Sequence, residues 1–106
     1  MRESAFEKEV ISDLREKFKG CLILKNDSAY LQGIPDRLIL FKDRWAALEF
    51  KKDAHAKQQP NQRWYVWYMN RLSYAAFIYP ENKEEVMNEL QRALRPGRRT
   101  RVSIGK

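Results

Sequence analysis

The chain has 106 residues, 43% of them hydrophobic and 12% aromatic, which suits one domain with one core. Its single cysteine, Cys21, excludes an internal disulfide framework and a cysteine-rich zinc site, and no apolar run approaches the length of a membrane span. A formal net charge of +7, with a sequence pI of about 9.7, points to an anionic partner, most often nucleic acid.

The start, Met1-Arg2-Glu3-Ser4, carries an acid and no signal-peptide apolar region, so a soluble, intracellular, cytoplasmic protein is expected. Residues 3–19 predict a helix, in which Phe6, Val10, Ile11, Leu14 and Phe18 recur at helical spacing and Gly20 ends the run. Glu3 and Glu7 fall inside that stripe, whereas Glu9, Asp13 and Glu16 lie at its edge or behind it. A carboxylate on a core-facing stripe is costly unless it is paired or binds a cation. Glu3, at the helix end, can reach water and favour the helix dipole. Glu7, one turn deeper, is the stronger candidate for chemistry.

Residues 21–25 read as a first strand, with Cys21 expected to be a buried, inert thiol. A polar loop follows up to Gly33 and Pro35. Two strands are expected over 36–41 and 45–51, separated by the turn Lys42-Asp43-Arg44. In the second, a period of two puts Trp45, Ala47, Glu49 and Lys51 on one face and Ala46, Leu48 and Phe50 on the other. After a polar loop over 52–59, Pro60 suits the first turn of a second helix. Trp64, Trp67, Tyr68 and Leu72 take helical spacing there and read as its core-facing stripe. Residues 74–79 form a fourth strand. Asn82 with Glu85 reads as a capping box opening a last helix, with Val86, Leu90, Ala93 and Leu94 on its apolar face and Pro96 beyond its end. The expected class is α/β, a mixed sheet of about four strands flanked by helices in the order α-β-β-β-α-β-α. A single domain spans 1–95 and a basic tail 96–106.

Each of the two central strands carries an acid where apolar groups should be buried. On a hairpin about residues 42–44, Asp36 falls roughly opposite residues 50 and 51. Asp36, Glu49 and Lys51 then converge at one end of the sheet. Hard cations such as Mg²⁺ or Mn²⁺ take oxygen ligands, often only one or two carboxylates with water and phosphate. Phosphodiester hydrolysis needs a polarised phosphate, an activated water and a stabilised leaving oxygen. Asp36 and Glu49 are the candidate metal ligands, joined by the backbone carbonyl of Phe50. Lys51 is a candidate to orient water or neutralise developing charge. Glu7 could bind a second metal or hold a metal-bound water, and Gln62 could align Lys51 or a water, with Gln58 and Gln59 as alternatives.

Pro35-Asp36, then twelve residues (37–48), then Glu49-Phe50-Lys51, resembles the PD-(D/E)XK nuclease signature. Gly33-Ile34-Pro35-Asp36-Arg37, Glu49-Phe50-Lys51 and a glutamine before an aromatic helix look most like its VRR-NUC branch. The chain is also similar to small Holliday-junction resolvases, and Ser4-Ala5-Phe6-Glu7 resembles the opening of some phage junction endonucleases. The likeness covers residues 3–80. It implies a restriction-endonuclease-like core, with Glu7 matching the upstream acid of many members. It further implies a divalent-metal DNA endonuclease acting on branched or structured DNA such as four-way junctions, as a homodimer. No membrane and no small-molecule organic cofactor is expected, and the setting would be a host cytoplasm if the chain is phage-encoded. Trp45, Trp64, Trp67 and Tyr68 are either core or part of a dimer surface.

Plainer readings stand beside these. Asp36 could end a turn, and Glu49 with Lys51 could form an exposed cross-strand salt-bridge set. Lys52, Lys57 and Arg63 could clamp phosphates or form a solvated face. His55 is expected to be an exposed loop residue, and Arg37, alternating away from Asp36, to be structural. From Gln91 onward no acid occurs. Arg98, Arg99 and Arg101 there could touch DNA phosphates or belong to a plain solvated terminus. The alternative functions are a non-catalytic nucleic-acid-binding module or an assembly component on the same fold.

Overall fold

The structure, a computed structural model, describes residues 2–96. Its elements are α1 (Glu3–Lys17), β1 (Leu22–Lys25), β2 (Arg37–Phe41), β3 (Arg44–Phe50), α2 (Pro60–Leu72), β4 (Tyr74–Ile78) and α3 (Lys83–Ala93), with a 3₁₀ turn at Pro80–Asn82. The α-β-β-β-α-β-α order is the expected one. The four strands form one sheet in the order β1-β2-β3-β4. The first three pair antiparallel, and β4 runs parallel to β3, so α2 serves as the crossover between them.

One face of the sheet makes the core. Ile39, Ala46, Leu48, Phe50 and Ile78 pack with Phe6, Val10, Leu14 and Phe18 on one side and Val86, Met87, Leu90 and Leu94 on the other. Phe6 meets Phe50 edge-on, with ring centroids 6.1 Å apart. Lys83 ties α3 to α1 through Glu9 at 2.6 Å and Asp13 at 2.7 Å. The stripe read along α1 is therefore the buried one, and two of the acids placed outside it link helices.

The hairpin register differs from the expected one. Arg37 pairs with Leu48 and Phe41 with Arg44, leaving a two-residue turn, Lys42-Asp43, instead of three. Lys42 takes the left-handed backbone, φ 56°, that such a tight connection demands. Because register follows turn length, the same alignment carried one residue further sets Asp36 against Glu49, not against residues 50 and 51.

The second face is covered over β3 and β4 by α2. Here the core reading of the aromatic stripe does not hold. Trp64, Trp67, Tyr68 and Leu72 are 51%, 56%, 41% and 59% exposed. The half-buried stripe is instead Gln62, Tyr65, Val66 and Met69. Both stripes have helical spacing, and the polar contacts of Gln62 with β3 select between them. Two smaller readings also change. Cys21 is half-buried, not buried. Asn82 does not cap α3 with its side chain, which instead accepts from the Tyr79 N–H and donates to the Phe77 carbonyl. Among the described residues, no helix is long and apolar enough to cross a membrane.

Candidate active site

Glu49 is 4% exposed and is the single buried charged side chain among the described residues. It sits near the end of β3, on the face covered by α2. Its Oε1 accepts the backbone N–H of Asp36 at 3.1 Å, and its Oε2 accepts Gln62 Nε2 at 2.9 Å. Asp36 reciprocates: its Oδ2 accepts the backbone N–H of Phe50 at 2.8 Å. The two acids thus lock the open end of the β2–β3 hairpin by crossed side-chain-to-backbone bonds.

Local sequence holds this geometry. Asn26 donates to the Pro35 carbonyl at 2.8 Å, and its own N–H bonds the Asp36 carbonyl at 2.9 Å, fixing the strand start. Gly33 has φ 92° and abuts the N-terminus of α2. A Cβ there would collide with that of Asn61 and lie 2.9 Å from the Asn61 backbone carbon. Pro60 opens α2, and Gln62 in its first turn accepts the Gln59 N–H at 2.9 Å. The same Gln62 Oε1 accepts Lys51 Nζ at 2.8 Å, and the Lys57 carbonyl accepts it at 2.8 Å. Gln62, with Gln58 and Gln59 as sequence alternatives, is therefore the glutamine that touches both Glu49 and Lys51. The exposed salt-bridge reading of this pair does not describe the structure, since Glu49 is buried and Lys51 gives its ammonium to two neutral oxygens.

The electrostatics follow first from burial. Burial, and then the charge of Asp36, pushes the Glu49 carboxyl up to about 8, with Lys51 opposing. Burial also raises Asp36, against the stabilising Phe50 amide, and Glu7 adds repulsion. Glu3 is raised by burial and then by Asp36. Both α1 acids therefore reach the site, but not as expected. Glu7 is engaged by Arg37, Nε to Oε2 at 2.6 Å. Arg37, on β2 and one residue beyond Asp36, pairs with that carboxylate. Glu3, set aside for its place at the helix end, is exposed and lies within the field of Asp36, Lys51 and Lys52. Its membership of the α1 stripe was the available signal.

Lys52 and Arg63 are exposed beside the site, and Lys57 contributes its backbone carbonyl. Phe50 gives its amide to Asp36 and buries its ring against Phe6. His55 is exposed, and its N–H bonds Asp53. Arg98, Arg99 and Arg101 lie outside the described residues. Next to Gln62 is a hollow of about 350 Å³, lined also by Ser28, Gln32, Gly33, Asn61 and Pro60. Among the described residues no group of three or more His, Cys, Asp and Glu side chains is arranged to hold a metal ion. The donor set of Asp36 and Glu49 nevertheless suits a hard cation, which often takes only one or two carboxylates. Burial raises both carboxyls, and the charge of Asp36 adds to the rise at Glu49.

No family model, curated protein or solved structure matches the chain.

Proposed function

We propose that the chain is a divalent-metal-dependent DNA endonuclease built on a PD-(D/E)XK core. The observation that carries this reading is the burial of Glu49 against Asp36 at one end of a sheet, with Lys51 held beside them by Gln62. Burying an acid beside a like-charged neighbour costs stability, and a bound cation would offset that cost.

Asp36 and Glu49 would hold Mg²⁺ or Mn²⁺. When bound, the ion supplies charge that polarises a phosphate and makes water a stronger nucleophile. The remaining work belongs to the side chains. Lys51, whose ammonium bonds two neutral oxygens, would oppose the developing negative charge of the phosphate. Gln62 fixes the positions of Lys51 and Glu49 with one amide. Glu3 adds negative charge near Asp36 and Lys51, and Lys52 and Arg63 would attract the DNA backbone. The resemblance supports branched or structured DNA, such as four-way junctions, as substrate and a homodimer as the working form.

The test is metal-dependent nicking of supercoiled plasmid and cutting of a synthetic four-way junction. Cleavage with Mg²⁺ or Mn²⁺, abolished by EDTA, is expected. Tight binding with no cleavage in either metal would make the chain a binding module.

A further inference from the structure

The outer face of α2 plays no part in the fold or in the chemistry above, yet it carries four large exposed apolar side chains. Trp64 and Tyr68 are stacked, with ring planes 14° apart and centroids 5.2 Å apart. Arg71 lies over the Trp67 ring at 5.3 Å. This stripe belongs to a stretch, residues 54–80, that contains no aspartate or glutamate but includes Lys57, Arg63 and Arg71.

We infer that this face is a stacking platform for unpaired nucleotide bases. The inference rests on nucleic acid being the substrate of the candidate site. Aromatic rings interleaved with arginine and free of acids suit a polyanion whose bases stack on the rings. A second copy fits less well. Pairing α2 with itself about a two-fold axis would bring the arginines of both stripes together with no acid to oppose them. Position also favours nucleic acid. Trp64 follows Gln62 by two residues, so it lies across the helix from the site, about 10–12 Å away. Bases splayed from a branch point could occupy the platform while a nearby phosphate enters the site.

The test uses the full chain in EDTA, so that binding is read without cleavage. Anisotropy of a labelled oligothymidylate is compared with that of a labelled duplex, alongside tryptophan fluorescence. Oligothymidylate should quench the wild-type fluorescence. Trp64→Ala/Trp67→Ala should weaken single-strand binding by about tenfold or more while duplex affinity stays within about twofold. Trp64→Phe/Trp67→Phe should restore most of the loss. Absence of quenching, unchanged single-strand affinity or an equal loss on duplex would overturn the inference. A wild-type dimer that the alanine variant dissociates, with single-strand affinity unchanged, would assign the face to self-association instead. Since cleavage plays no part, failure here leaves the endonuclease reading intact, and an inactive protein that still binds oligothymidylate through these rings leaves the platform intact.

Discussion

Burial of Glu49 against Asp36 raises its carboxyl from an ordinary value of 4.5 to about 8. Between those values the folded chain keeps a proton that the unfolded chain releases. Folding stability of the metal-free protein should therefore fall as pH rises across that window. Urea unfolding with EDTA at several pH values should show the decline, and Glu49→Gln should flatten it. A wild-type slope in the variant would show that Glu49 is not its source. Lys51→Ala removes the ammonium held by Gln62 beside Glu49 and should slow cleavage roughly 10²–10³-fold with DNA affinity little changed. Single-turnover cutting beside equilibrium binding separates those effects. Asp36 and Glu49 were legible because acids in segments of strand pattern break the burial expected there, and Lys51 because it follows Glu49 at a spacing of two. Glu3 was not, because a carboxylate at a helix end has a sufficient ordinary explanation, and only the packing of α1 places it beside Asp36 and Lys51.

The elements were legible wherever their periodicity had one interpretation. The α1 stripe, with Phe6, Val10 and Leu14, had one, and it is buried. The α2 stripe had two, separated by polar Gln62, and hydrophobicity selected the outward one. Turn length is likewise hard to read from Lys42-Asp43-Arg44, because lysine is not a usual left-handed residue. That one-residue error moved Asp36 along the hairpin without removing it from the site. Gly33 links the loop to α2, so Gly33→Ala should cost about 1–3 kcal/mol from backbone strain and overpacking. It should also displace Gln62, so cleavage should fall in the folded variant at temperatures well below its midpoint. Thermal unfolding together with cleavage measured there checks both parts. Full activity in a folded variant would uncouple this loop from the site.

At the scale of the whole molecule, one sheet face supplies the core and the other carries the candidate site. Leu48, fully buried between α1 and α3, faces away from the site. Leu48→Ala should cost about 2–5 kcal/mol, a large share of a small domain's roughly 5–15 kcal/mol. Denaturant unfolding measures that loss, and the surviving folded fraction should still cut. Glu49, one residue on, should show the opposite pattern: little stability lost on neutralisation and all cleavage lost. The most direct measurement compares wild type with Asp36→Asn on a four-way junction, bound first in EDTA and then given Mg²⁺ or Mn²⁺. The account predicts equal binding, cutting by wild type within that complex and none by Asp36→Asn. Wild type that binds but never cuts, or Asp36→Asn that cuts as fast as wild type, would contradict it.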